Sequence, residues 1–266
     1  MALAPFPTLR EGGVRLRTSG APESAPHPLV SVITIAYNAV EPLRRTMDSV
    51  RAQHWDAIEH IVMDGGSTDG TVEVLLAREH EIALWRSERD LGIYDAMNKA
   101  LALAIGEYVL FLNSGDVLRG QALFPGQDFG RLLPVRALDF WGRPRLLRLR
   151  DVRLGMPYCH QGILFRNKDL VPFDTSLRIS ADYEFLLANL AQAGLEPPCN
   201  QGSGYVEFDT TGVSNTRVLE RDLEASRVIR RRFGRFHWLR FWSLQGAKLA
   251  VRWLAARWRG PVPVRK

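Results

Sequence analysis

Apolar positions in this chain fall into short blocks of two kinds. Residues 29–36 and 58–63 are β-branched and almost wholly apolar over lengths too short for a helix, which predicts strands buried on both faces. Residues 82–85 and 107–112 read the same way. Between these blocks the period changes. Leu43, Met47 and Val50 recur at helical spacing over 41–53, Val72, Leu75 and Leu76 do so over 71–78, and 93–105 forms a third helical stretch. Polar, glycine-rich turns close the strands: Tyr37-Asn38, then 64–70 (Asp-Gly-Gly-Ser-Thr-Asp-Gly), then Asn113-Ser114-Gly115-Asp116. Strand and helix therefore alternate, which predicts an α/β fold, doubly wound around a mostly parallel sheet. Further along, 137–143 reads as a strand entering a turn, 157–166 and 204–208 as strands, and 180–193 as a helix carrying Phe185, Leu186 and Leu190. Residues 1–28, with five prolines, three glycines and no periodicity, read as a loose arm.

Ligands of such sheets bind beyond the carboxyl ends of the strands. Three acidic turns fall there, at Asp64, near Asp90 and at Asp116. Glycines beside Asp64 allow a tight turn and close approach of a ligand, so its carboxylate is placed to accept hydrogen bonds from a nucleobase or ribose. Asp69 serves equally well as a helix cap. A calcium loop of the EF-hand kind is disfavoured, because Leu75 stands where its twelfth-position acid belongs. Asp116 follows a very apolar strand and suits a divalent cation held against a diphosphate, since Mg2+ and Mn2+ take one or two carboxylates plus phosphate oxygens. A turn built on Asn113 and Gly115 accounts for the same residues without a ligand. Asp182 lies near a helix N-terminus, where the dipole favours the ionised form. It fits a general base acting on an alcohol, or a cap. Glu184 either supports it or faces solvent. His160 and Gln161, beside Gly162 in an apolar strand, suit a pocket, although a lone histidine is as readily structural.

Charge changes the picture of the C-terminus. The chain of 266 residues carries a net +6, but residues 225–266 hold 12 Lys/Arg and no Asp or Glu, leaving 23 basic and 29 acidic residues before them. The body is thus acidic, and the basic charge belongs to the tail. Four of the seven tryptophans (Trp238, Trp242, Trp253, Trp258) lie there too. Tryptophan and arginine at this density suit an amphipathic helix lying in an anionic membrane interface; a helix packed on the body is the plainer alternative. Nucleic acid is not expected as a partner, because the body is acidic and no nucleic-acid module is recognisable. Two cysteines, Cys159 and Cys199, give no zinc set and fit a reducing compartment. No apolar run approaches the ~20 residues of a transmembrane helix. No secretory signal is expected either, since Pro5 and Pro7 precede the first basic residue, Arg10.

Taken in order, Ser31-Val-Ile-Thr-Ile-Ala-Tyr-Asn38, the 64–71 turn, Ser87 to Lys99 with its Gly-Ile-Tyr-Asp-Ala-Met-Asn-Lys run, and Gly106 to Asp116 resemble family 2 glycosyltransferases, in particular the bacterial exopolysaccharide and O-antigen type. The likeness resumes at His160-Gln161-Gly162 and at 180–185. It implies a GT-A (Rossmann-like) nucleotide-sugar fold over 29–224, an arm over 1–28 and a basic, Trp-rich helical tail over 225–266. It further implies an inverting enzyme that moves a sugar from a nucleotide-diphosphate donor to a hydroxyl of a lipid-linked or oligosaccharide acceptor. Tyr37, Asn38, Asp64, Asp90, Asp95 and Asn113 would line the donor site, Asp116 would hold Mg2+ or Mn2+, and Asp182 would be the catalytic base. His160, Gln161 and Glu184 would face the acceptor or its pocket. Asn113 and Gly115 stand where many relatives carry carboxylates. That substitution also permits a catalytically silent nucleotide-sugar binder, while the tail alone permits a membrane or nucleic-acid adaptor. The expected location is cytoplasmic, on the inner face of the cytoplasmic membrane.

Overall fold

The computed structural model describes residues 9–17, 29–129, 132–138, 144–146, 150–193, 195, 204–210 and 217–258. In chain order it begins with strand β1 (Arg10–Gly12) and a helical turn α1 (Val14–Arg17). The repeating part follows: β2 (Val30–Ala36), α2 (Val40–Arg51), β3 (Ile58–Asp64), α3 (Thr71–Ala77), β4 (Leu84–Ser87), α4 (Ile93–Leu101) and β5 (Tyr108–Phe111). Then come β6 (Val117–Arg119), β7 (Val135–Leu138), β8 (Pro144–Leu146), β9 (Leu164–Arg166), α5 (Ala181–Ala188), β10 (Tyr205–Glu207) and a long helix, α6 (Val218–Trp258).

The main sheet runs β1-β4-β3-β2-β5-β9. Its four inner strands are parallel, with Ala36 beside Asp64 and Asp64 beside Ser87. β2 is buried along its whole length, as a continuous apolar run requires. Alternation along β3 divides the core. Ile61 and Met63 pack in one cluster with Tyr94 and Met97 of α4, whereas Val62 packs with Leu43 and Met47 of α2 and Leu75 of α3. Helices therefore cover both faces, and the turns at the strand ends share one rim. One antiparallel strand closes each edge, β1 beside β4 and β9 beside β5.

A second sheet, β6-β10-β7-β8, starts immediately after Asp116. Its β6–β10 pair is antiparallel, with Glu207 opposite Val117 and Val206 opposite Leu118.

Four expectations need correction. Residues 10–17 of the expected loose arm belong to the sheet edge, because the backbone of Arg10–Gly12 completes the open side of β4. His160 and Gln161 lie on a 3-10 turn, His160–Gly162, and only 164–166 is strand, so the expected strand over 157–166 is mostly a bend. Helix α5 stops at Ala188, short of 193. The boundary expected at 224/225 falls inside α6, whose Ala225, Val228, Ile229 and Phe241 are buried against Tyr183 and Leu187 of α5. At Gly234 (φ 80°, ψ −176°) α6 leaves helical geometry and then resumes. The expected turn at 139–143, Cys199 and the end of the tail (259–266) lie outside the described residues.

Candidate active site

The rim above the parallel strands holds two groups of side chains. The first is built on the Asp64 turn. Asp64 is buried, and its Oδ2 accepts from the backbone N–H groups of Gly66 and Ser67 (3.1 and 3.0 Å) and from Ser87 Oγ (2.6 Å). Its Oδ1 accepts from Ser67 Oγ. The carboxylate therefore spends its acceptor capacity on shaping the turn. Asn38, at φ 47°, locks the neighbouring turn to it: its Oδ1 accepts from Thr68 N (3.0 Å) and its N–H donates to Ser67 Oγ (2.8 Å). Asp69 caps α3 through Thr71.

Gly65 has a specific steric reason. A Cβ there would stand 2.6 Å from Asp90 Oδ2 and 3.3 Å from Tyr37 Cδ2. The Asp90 carboxylate and the Tyr37 ring thus meet over residue 65. Tyr37 is 66% exposed, a flat apolar face ready for a stacked base. Asp95 takes a bracing part: it accepts from Leu91 N (3.0 Å) and pairs with Lys99 (3.1 Å), which also reaches Glu88. The pair fastens the loop that carries Asp90.

The second group lies at the end of β5. Asp116 is 2% exposed. Its Oδ1 accepts from the backbone N–H of Asp209 (2.8 Å) and its Oδ2 from Gln161 Nε2 (3.0 Å). Burial pushes its pKa up to about 6, against the Asp209 N–H, the charge of His160 and the Gln161 amide, all of which favour the ionised form. Gln161 is held in that orientation by Cys159, whose thiol donates to Gln161 Oε1 (2.6 Å). Burial raises the Cys159 pKa well above its usual value, with the nearby Asp116 and Asp182 charges adding to it. Thr46 of α2 clamps the turn: its hydroxyl lies 2.8 Å from the Asp116 carbonyl oxygen and accepts from Gly115 N (2.9 Å).

Asp182 sits in the first turn of α5, and its Oδ2 lies 3.4 Å from His160 Nδ1. His160 thus faces Asp182 directly and lies near Asp116, whose ionised form its protonated ring would favour. Two residues 66 positions apart in the chain are linked through the 3-10 turn at 160–162, Asp116 by Gln161 and Asp182 by His160. Glu184 does not join them. Its carboxylate pairs with Arg231 (2.9 Å) and Arg232 of α6, because position 184 lies on the face of α5 that packs against the tail.

The donor set at Asp116 suits a hard cation. Asn113 Oδ1 is buried in the same turn without a hydrogen-bond partner, and each Asp116 oxygen retains a lone pair beyond its one hydrogen bond. Among the described residues no group of three or more His, Cys, Asp or Glu side chains is arranged to hold a metal. Phosphate oxygens and water would have to complete the shell, as Mg2+ and Mn2+ commonly require.

Two residues at this site were not singled out in the sequence. Asp209 follows the last strand directly, so a carboxylate at a strand end was its available signal. Glu224 was hidden in a helical run. Buried in α6, its carboxylate gathers the backbone N–H groups of Arg178, Ile179 and Ser180, each at 2.9 Å, and so fixes the entry to α5.

Known proteins share sequence and fold with this chain. The family described as Glycosyl transferase family 2 matches residues 31–125. An uncharacterised glycosyltransferase of Mycobacterium tuberculosis is 39% identical over 212 residues, covering 71% of this chain and 78% of that protein. A PGL/p-HBAD biosynthesis glycosyltransferase of the same organism is 30% identical over 216 residues, covering 72% and 81%. Among solved structures, the mannosyltransferase PcManGT from Pyrobaculum calidifontis, in complex with GDP-Man and Mn2+, matches with a TM-score of 0.57 at 20% identity over 91% of this chain and 79% of that one. The last likeness supports the GT-A fold, and the extent and level of the first two show that the chain belongs to glycosyltransferase family 2.

Proposed function

We propose that this glycosyltransferase uses a nucleoside-diphosphate sugar and inverts the anomeric centre as it glycosylates a hydroxyl of a lipid-linked glycan in surface-polysaccharide assembly. The observation that carries the proposal is the convergence of Asp182, His160 and Asp116 beyond the ends of the parallel strands. The nucleoside lies against Tyr37 and Asp90 on the wall that Asp64 and Asn38 shape, with the diphosphate directed toward Asp116. Asp182 takes the proton of the acceptor hydroxyl while that oxygen bonds to the anomeric carbon. The bond from that carbon to the diphosphate breaks on the opposite face, so the configuration inverts and a nucleoside diphosphate leaves. His160 orients the Asp182 carboxylate, and Gln161 orients Asp116. Mg2+ or Mn2+ held by Asp116 and Asn113 Oδ1 would supply charge neutralisation for the leaving diphosphate.

The acceptor class draws support from α6. Beyond its buried stripe it exposes Arg227, Arg235 and Arg240 with Phe236, Leu239 and Leu244. No helix among the described residues is long and apolar enough to cross a membrane, so contact with a membrane-embedded acceptor would be made from the surface.

A thermal-shift panel of UDP-, GDP- and dTDP-sugars with Mn2+ identifies the donor, since a bound ligand raises apparent stability. With that donor, Asp182→Asn should lower transfer by roughly 10²-fold or more and leave donor affinity unchanged. Wild-type turnover by this variant would remove Asp182 from the role of base.

A further inference from the structure

The Gly-Ile-Tyr-Asp-Ala-Met-Asn-Lys run, residues 92–99, extends from the cap of α4 through most of its length. Its polar side chains form two pairs four residues apart, on neighbouring edges of the helix. Asp95 and Lys99 hold the loop that carries Asp90. Tyr94 and Asn98 hold another segment, the one that leads into α5 and Asp182. Asn98 brackets Phe173: its Nδ2 donates to the Phe173 carbonyl (3.0 Å) and its Oδ1 accepts from the Phe173 N–H (2.8 Å). The Tyr94 ring stacks on that of Phe173, with centroids 5.5 Å apart. Its hydroxyl donates to the carbonyl of Ile179 (2.5 Å), at the entry to the helix that bears Asp182.

We propose that Tyr94 and Asn98 are positioning residues for the base, so that α4 sets where Asp182 stands relative to the donor pocket; this rests on the reading of Asp182 as base given above. Helix α5 does not cap itself. The side chain of its N-cap, Ser180, makes no capping bond and donates instead to the Arg221 carbonyl (3.0 Å). The entry to α5 is therefore held from outside, by Glu224 on the N–H groups of Arg178, Ile179 and Ser180 and by Tyr94 on the Ile179 carbonyl. Beyond its own helix the Asp182 carboxylate meets His160 at 3.4 Å, longer than an ordinary hydrogen bond, so its place depends on how the first turn of α5 is fixed. The Tyr94 hydroxyl lies within the field of that carboxylate. Burial first, and the charge of Asp182 next, raise its pKa well above the usual value, while the N–H groups of Asp182 and Ala181 act in the opposite sense. The hydroxyl thus stays protonated and keeps donating to Ile179. One helix in this way grips the donor loop with one edge and the base-bearing segment with the next.

The test uses the full chain. The imidazole nitrogen NMR signals of His160, assigned by their loss in His160→Gln, report where the Asp182 carboxylate stands, and Asp182→Asn gives the signals of a broken contact. Tyr94→Phe removes one hydroxyl and keeps the ring. It should move the His160 signals toward those of Asp182→Asn and lower kcat by at least about tenfold, since small misplacements of a reacting group are costly. Affinity for UDP and for GDP, and KM for the sugar nucleotide that the thermal-shift panel selects, should stay unchanged. Asn98→Ala, which frees Phe173 from the same helix, repeats both readings should the first variant fold poorly. Unmoved His160 signals in both variants, or moved signals with wild-type kcat, would overturn the proposal. A rise in KM at unchanged kcat would assign the two residues to the donor pocket and overturn it as well. Wild-type turnover by Asp182→Asn would instead remove the base reading beneath it, whatever the His160 signals show.

Discussion

At the scale of single residues, position along the chain and partner set are separate matters. Asp64 was readable as a carboxylate at a strand end. Its four donors, spread over Gly66, Ser67 and Ser87, were not, because Ser87 reaches it only through the pairing of β3 with β4. His60 shows the same separation. It looks like an ordinary polar residue in a strand, yet it is buried beside Thr34 Oγ1 (2.9 Å), whose hydroxyl donates to Leu112 O (2.8 Å). That hydroxyl has one proton, so His60 must donate from Nε2. Burial, helped by the field of Arg78, lowers its pKa to about 4. The unfolded chain binds a proton here below pH ~6.5, and the folded chain does so only below about 4. Stability should therefore fall as pH drops from ~6.5 toward 4, by up to about 3 kcal/mol from this residue, and level off below that. Urea midpoints across this range check it: a His60→Gln variant should show a shallower slope than the unaltered chain.

Elements tell a different story. The parallel strands and their helices were legible because a buried strand must be apolar throughout and a covering helix must repeat its apolar face. The bend at 157–163 was not, since an apolar run fits a strand and a buried turn equally well, and only the pairing of β9 with β5 selects 164–166. The break in α6 depends on one residue. Gly234 adopts φ 80°, ψ −176°, a region essentially reserved for glycine. It lets Phe241 fold back onto Tyr183 and Ile229 while Trp238 and Trp242 pack beside them. Gly234→Ala should cost about 1–3 kcal/mol and lower Tm at about 2–4 °C per kcal/mol. An unchanged Tm in a calorimetric scan would mean that the break is not required.

For the whole molecule, the division of charge has a spatial outcome. The acidic body and the basic tail meet at Glu184, where Arg231 and Arg232 neutralise a carboxylate on the helix that bears Asp182; Glu224, in α6 just ahead of the tail, holds the start of that helix. The tail is thus partly built into the α/β body, while Arg227, Arg235 and Arg240 stay exposed. Docking on an anionic surface should draw ~1 kcal/mol from each basic residue near it. Phosphatidylglycerol-containing vesicles should therefore bind the protein, and pure phosphatidylcholine vesicles should not. Replacing Arg227, Arg235 and Arg240 by Gln should weaken binding by at least about tenfold. Equal sedimentation with both kinds of vesicle, or no loss in the variant, would exclude the tail as an electrostatic membrane contact.

Sequence alone determined the alternating sheet architecture, the rim where the acidic turns gather and the family resemblance, because period, strand burial and turn composition are local properties. Tertiary structure decided which carboxylates meet. Asp116 and Asp182 are linked through the turn at 160–162, Glu184 turns away to the tail, and the backbone of Asp209 reaches Asp116 through a strand pairing that spans some ninety residues. No local rule encodes these meetings, since side chains from distant segments come together only when two sheets and a returning helix pack around the same strand ends.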